Sequence, residues 1–425
     1  MRSYSFRALA VLCAFALLAL SPASLSAQQA RRFQGGSIDD NAKKLGIGEP
    51  QTNVSGLGHN IAPGVYFLPT LTLETGYNSN PDEFFVDYEG SPYGLANATG
   101  VFGFLKDNGA TTLTLRGTLL QYSDDITDPG RWDAGLALDN AYSIAPNTIA
   151  SFGAYYLRDE ISLVASDNEG AYGQLAYKQP DFETFGRLKI EQIGYLGDVA
   201  TTPATPVVVL LSQPSQFDVQ RAEGVSGFIF GPQQRIGFYS EIGGANLDYY
   251  SQNTERFLDR DATEFWAISG FRFNLHPSLV VDTGWRFNVR QTEDKFVEER
   301  DSNYFDGRLI WTPSQTVRFV AEIDRQFVEP VSGLALMGDK IHYGAAIAYV
   351  MRPGFEIGGA LRYDQIDQIG DVFEYDETEI SLSLSYQWSE KVAVYGLIGN
   401  EHVEELATGL SYDKFNIGAG AKIRF

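Results

Sequence analysis

Leu279-Val280-Val281-Asp282-Thr283-Gly284-Trp285-Arg286-Phe287-Asn288-Val289-Arg290 alternates in chemistry at every second residue. Leu279, Val281, Trp285, Phe287 and Val289 fall on one side of an extended chain, and Asp282, Arg286, Asn288 and Arg290 fall on the other. Period two is the signature of a strand with one greasy and one polar face. A soluble sandwich turns such a greasy face toward a packed core. Here the charged face carries Arg and Asp at mid-strand, which also suits a wall with lipid outside and water inside.

The same alternation recurs along the chain. Val65, Phe67, Leu71, Leu73 and Tyr77 oppose Tyr66, Thr70, Thr72, Glu74 and Gly76. Leu113, Leu115 and Leu119 oppose Thr112, Thr114, Arg116 and Thr118, and Val317, Phe319, Ala321 and Ile323 oppose Arg318, Glu322 and Asp324. Segments 94–105, 148–158, 218–230 and 391–399 leave open which face is outward. Short turn signals at 107–109, 145–147, 179–181, 231–233, 276–277, 312–314, 352–354 and 389–390 alternate strictly with long, polar, acidic connections. The long ones lie near 78–93, 123–130, 159–167, 196–216, 249–260, 291–300, 328–339, 366–377 and 400–411. This pattern predicts an all-β fold, a transmembrane antiparallel β-barrel of about 18 strands, with 16 the neighbouring even number. Spanning strands of ~9–11 residues, or about 12 with overhang, leave a remainder that matches the loops. The short turns are expected in the periplasm and the long loops outside.

Composition agrees. The 425 residues include 23 Tyr and 28 Phe but only three Met, a strand-rich usage. The net charge of −22 would repel nucleic-acid phosphates. The single cysteine, Cys13, excludes a disulfide framework and cysteine-held metal clusters. Arg2 and Arg7, the apolar run Ala8–Leu20 and the small residues ending at Ala27 read as a secretory signal peptide over 1–27. Residues 28–63, without a sustained apolar period, read as a flexible periplasmic leader, too short for the plug of a 22-stranded receptor. The barrel is expected over 64–425, in the outer membrane of a Gram-negative bacterium.

Residues for chemistry are few. His59 falls in the leader, His276 in a turn, and His342 and His402 near the outer ends of separate strands. The chain has no Gly-x-Gly-x-x-Gly run and no Gly-Lys pair for a nucleotide. Acidic runs at 81–83, 124–125 and 371–379 lack the spacing of a dedicated calcium loop. The expectation is therefore no enzyme, no catalytic residue, no cofactor and no metal. The inward charges carry more information. Glu74, Arg116, Arg235, Asp282, Arg286, Arg290, Asp306, Arg308, Arg318, Glu322 and Arg362 are the candidate pore-lining residues. Arg286, Arg308 and Arg318 fall on three consecutive strands. They form either a basic wall that sets ion preference or a set paired with Asp282, Asp306 and Glu322 that fills the interior.

Two stretches carry a resemblance. The end of the chain, with Phe415, Ile417, Ile423 and Phe425 in alternation, resembles the signal read by the outer-membrane barrel-assembly machinery. Pro63 to Pro69, followed by Leu73-Glu-Thr-Gly76-Tyr77-Asn78-Ser-Asn80, resembles the opening strand of the beta-barrel porin 2 family, where a Gly-Tyr-(Asp/Asn)-x-Asn turn follows. The match covers about 20 residues. That resemblance implies an outer-membrane barrel, and some members of the family accompany exopolysaccharide secretion genes. The expected function is a passive, water-filled route for small polar solutes, saccharides among them. The alternative is a structural or accessory barrel of exopolysaccharide secretion with a plugged lumen, and a remote one is a membrane-embedded hydrolase. Expected partners are outer-membrane lipid and lipopolysaccharide, the assembly machinery, the solutes, and components of polysaccharide export.

Overall fold

The structure, a computed structural model, describes residues 59–79, 90–123, 131–159, 166–195, 218–249, 260–293, 299–328, 337–369, 374–406 and 409–425. In chain order the strands are β1 (His59–Ala62), β2 (Val65–Asn78), β3 (Ser91–Lys106), β4 (Gly109–Tyr122), β5 (Arg131–Ala145) and β6 (Thr148–Asp159). Then come β7 (Ser166–Gln179), β8 (Phe182–Tyr195), β9 (Val219–Phe230), β10 (Ile236–Tyr249), β11 (Ala262–His276) and β12 (Leu279–Thr292). The last are β13 (Glu299–Ser314), β14 (Val317–Val328), β15 (Met337–Arg352), β16 (Phe355–Ile369), β17 (Glu374–Gln387), β18 (Val392–Glu405) and β19 (Leu410–Arg424). β2 to β19 form one closed ring in which every strand runs antiparallel to its neighbours, and β19 pairs back onto β2. This is the expected 18-stranded barrel.

The short turns all lie at one end, as their Pro, Gly and Asn content requires. Asn147 and Gly354 sit there with φ of 63° and 80°, the left-handed region that closes two-residue hairpins. One turn is displaced from its expected place. Thr312-Pro313-Ser314 belongs to the end of β13, and the chain reverses at Gln315 and Thr316. Pro313 brings no N–H to the ladder, and the register shifts between Trp311 and Ser314. The strands are also longer than about 12 residues in most cases, reaching 16 in β3, β13 and β15. Most of 366–377 and 400–411, expected as loops, is therefore strand. The central residues of the long connections, and the segments 1–27 and 28–58, lie outside the described residues.

Alternation sets the two faces. Leu73, Leu115, Leu188, Trp285, Leu384 and Ile417 are exposed on the exterior. The open segments resolve the same way, with Phe104, Phe152, Phe230 and Ile398 outward. Leaving this much apolar surface in water costs about 25 cal/mol per Å², so the exterior belongs in lipid. At the short-turn end Phe230, Phe228, Phe238, Phe271 and Phe273 touch in that order, with ring centroids 5.2–6.2 Å apart. Such a girdle marks the membrane interface of transmembrane barrels.

Two seams depart from a uniform ladder. β19 pairs with β2 only from Thr70 to Asn78. The rest of that edge, Val65 to Phe67, is taken by β1, so His59–Ala62, expected as the end of the leader, belong to the sheet. Covering the free edge removes a site where another chain would add a strand. The second seam is β13–β14, whose pairing runs from Ser314–Val317 to Gly307–Ile323 and stops there. Above that rung β14 leaves the wall. Its backbone at Arg325 is met by Tyr304 Oη of β13 and by Asn288 Nδ2 of β12, at 3.3 Å for the latter. Both of those side chains point inward, so the outer end of β14 lies inside the wall formed by β12 and β13. β15 stays paired to β14 up to Val328 and β16 to β15 along its length, so both follow it.

Candidate functional site

The inner wall owes its texture to glycine. Tyr93 lies over Gly76, Tyr155 over Gly170, Tyr172 over Gly153, Trp266 over Gly243 and Tyr395 over Gly420. A Cβ at any of these five glycines would fall 2.4–2.7 Å from the ring, so only glycine lets the aromatic lie flat along the wall. Lying flat, each polar tip reaches a carboxylate. Tyr93 and Tyr395 both donate to Glu74, at 2.6 and 2.7 Å, Tyr172 donates to Asp139 at 2.8 Å, and Tyr155 donates to Glu191. Aromatic surface is thus spread on a polar wall with its hydrogen-bonding groups satisfied.

Charges complete the lining as pairs. Arg116 meets Asp133 at 2.5 Å, and Arg187 meets Glu223 at 2.9 Å. Arg221 bridges Glu223 and Glu264, and Glu264 also receives Arg290 at 3.1 Å. Arg272 forks onto Asp282 at 2.8 and 3.0 Å. On the opposite side Asp364, fully buried, is surrounded by Lys340, His342 and Arg362 at 2.5–2.7 Å. Arg362 continues to Glu377 and Glu379, and Lys414 meets Glu401 at 3.2 Å. Pairing matters here because a lone charge beside lipid is costly, whereas a hydrogen-bonded pair is tolerated.

Against this wall the expected residues divide. Glu74, Arg116, Asp282, Arg286, Arg290, Asp306, Arg308, Arg318, Glu322 and Arg362 all occupy the inner face of their strands. Arg235 does not; it stands exposed in the turn before β10, where turn geometry rather than alternation directs it. Arg290 and Asp306 face inward but are covered, at 0% and 1% exposure: the Arg290 guanidinium lies against Glu264 and Tyr249, each at 3.1 Å, and the inturned end of β14 lies against β12 and β13. Arg286, Arg308 and Arg318 do not form a level row. Arg286 pairs across from Tyr304, and Arg308 lies four residues further toward the short turns on that strand. Arg308 pairs across from Glu322, and Arg318 again lies four residues further down. Each step is about 13 Å of strand, so the three descend diagonally. Arg286 is 3.5 Å from Asp306, and Arg308 is flanked in register by Asp282 and Glu322. Among the described residues Arg318 has no ion-pair partner.

His342 and His402, the basis of the remote hydrolase reading, lie on opposite faces. His342 is buried on the inner wall, with Nδ1 2.5 Å from Asp364 and Nε2 3.6 Å from Glu322. His402 faces outward, 3.0 Å from Asp413. They cannot share a substrate. Sequence reasoning missed the Asp364 cluster and the Tyr–carboxylate contacts, although the alternation itself placed Asp364 and Glu74 inward; no pattern marked which inward groups would meet. Phe415, Ile417 and Phe425 are exposed on the outer face and Ile423 shares it, as the assembly-signal reading expects of their orientation.

No family model matches the chain, and no curated protein matches it. Among solved structures it is similar to OpdL of Pseudomonas aeruginosa, with 12% identity over 86% of this chain and 100% of that one, at a TM-score of 0.47. OpdQ of the same organism is similar at 9% identity over 86% and 99%, with the same TM-score. The siderophore receptor PirA, also from Pseudomonas aeruginosa, is similar at 10% identity over 84% and 80%, with a TM-score of 0.42. Likeness at this level carries no argument about what passes through this barrel, and the chain's own inner wall has to supply it.

Proposed function

We propose that the chain is an outer-membrane channel that lets small polar solutes, saccharides among them, diffuse passively across the membrane. The observation that carries this reading is the contrast between its two faces. The exterior is apolar with an aromatic girdle, while the interior is a continuous lining of paired charges and tyrosine hydroxyls. A ring of 18 strands is wide enough to leave an aqueous lumen. Flat aromatic faces beside carboxylates offer a sugar both an apolar platform and hydrogen-bond acceptors. The resemblance of 63–80 to the beta-barrel porin 2 family supports the same reading.

Purified barrel in planar bilayers tests it directly. Steady open conductance, together with swelling of proteoliposomes in small saccharides, is the expected result; a silent membrane with correctly folded barrel sinks the proposal. The second reading, an accessory barrel of polysaccharide secretion with an obstructed lumen, is favoured by one observation. The outer end of β14 lies inside the wall. Silence in bilayers and association with secretion components on cross-linking would be its signature.

A further inference from the structure

We propose that the outer halves of β14, β15 and β16 form a gate, hinged at the Gly307–Ile323 rung and kept inturned by Asp306 and Asp324. The inference rests on the reading of the lumen as a conducting path, and it concerns how that path is controlled.

The point at which the ladder ends has a chemical cause. The last inward-facing rung that forms is Arg308 opposite Glu322, a pair of opposite charges. One outward rung follows, Gly307 with Ile323. Continuing the same register would next set Asp306 directly against Asp324, two carboxylates on the inner face about 5 Å apart. Like charges directly opposite on a sheet destabilise it, and more so where water is scarce. The strands part at that place. Each carboxylate then finds other company: Asp306 approaches Arg286 at 3.5 Å, and Asp324 lies opposite His342 on β15.

The inturned position has its own latches. Tyr304 Oη and Asn288 Nδ2 hold the Arg325 backbone, and the Arg325 side chain forks onto Asp339 on the outward face of β15. Arg300 of β13 reaches Asp367 of β16 at 3.8 Å, although two strands lie between them in the sheet. That contact requires β13 to overlap the outside of the inturned group. Returned to the wall, the same residues would pair as Phe305–Arg325, Tyr304–Gln326 and Asn303–Phe327, and the lumen would widen by the width of the withdrawn strands. Two seats thus exist for one strand group, and the Asp306–Asp324 repulsion biases it toward the inner one.

A cysteine pair at Asn303→Cys and Phe327→Cys reports the wall-seated state, since opposed strand positions fall within disulfide reach. Cross-link yield is measured in the full-length barrel in membranes, with and without Asp324→Asn, and with Asp324→Ser as a second variant. Heat-modifiable migration establishes that each form is folded. The expected result is a low yield in the parent, a several-fold higher yield once Asp324 is neutralised, and larger single-channel conductance after cross-linking that reverts on reduction. Equal yields with and without Asp324, or no cross-link in either background although maleimide labels both cysteines, overturns the gate. So does cross-linking that leaves a conducting barrel's conductance unchanged. Absence of conductance in every form would count instead against the channel reading, while the yields would still decide whether the strands move.

Discussion

Tyr395 donates a 2.7 Å hydrogen bond to Glu74 from the far side of the closing strand, although 321 residues separate the two in sequence. With Tyr93 on the other oxygen at 2.6 Å, a single carboxylate ties β3 and β18 together over β19 and β2. The rings can cross because Gly76 and Gly420 lie beneath them. Replacing Glu74 by Ala leaves two phenols without their acceptor. Hydrogen bonds to charged groups contribute about 1.5–3 kcal/mol each, so Glu74→Ala should cost about 3 kcal/mol and Tyr395→Phe about half that. Urea titration followed by heat-modifiable migration measures both, and equal midpoints for Glu74→Ala and the parent would remove the clasp from the account.

The flat-lying aromatics make a second expectation. Gly170→Val sets a branched side chain where the Tyr155 ring now lies, 2.7 Å from the added Cβ. Overpacking of this kind costs about 1–3 kcal/mol, whereas Gly173→Val, whose added Cβ meets nothing within 4 Å, should cost far less. The two glycines are three residues apart on β7, Gly170 on the inner face and Gly173 on the outer, so they share the strand's backbone preference and differ in what the added side chain meets. Denaturation midpoints that fall equally for both would refute it.

Selectivity should rest mainly on one arginine. Arg286 has Asp306 beside it and Arg308 is flanked by Asp282 and Glu322, but Arg318 has no ion-pair partner among the described residues. Arg318→Ser should move the reversal potential under a salt gradient toward cation preference. Arg286→Ser and Arg308→Ser should lower stability by about 1–3 kcal/mol with little change in selectivity. A shift of equal size from all three would restore the picture of a continuous basic wall.

Removing residues 416–425 deletes every rung between β19 and β2. The truncated chain should not reach a heat-modifiable form and should be degraded in the periplasm. Normal migration on unheated gels would show that closure does not need this strand.

Much of this architecture could be read before any coordinates. The alternation around Trp285 and Leu115 has a cause that acts residue by residue, lipid on one side and water on the other, so it survives in the sequence. Turn positions are equally local, and Asn147 and Gly354 mark theirs by the φ angle they must adopt. What could not be read depends on register. The stagger of Arg286, Arg308 and Arg318, the covering of Arg290, and the gathering of Lys340, His342 and Arg362 about Asp364 follow from which residues stand opposite one another on neighbouring strands. Period two is blind to that. Arg235 was misplaced for a related reason: alternation was carried into a turn, where it no longer holds.

The sharing of the β2 edge has a consequence for how the barrel is measured out. Phe425 N reaches the carbonyl of Pro69, and β1 begins its pairing with His59 at Phe67, so the two segments nearly meet end to end on one template. Pro69 itself offers no N–H there, which leaves no donor stranded at the junction. Any residues continuing past Phe425 along the same line would run into β1. The first and last strands of the chain therefore act as each other's stop, and a longer final strand would have to unseat the first.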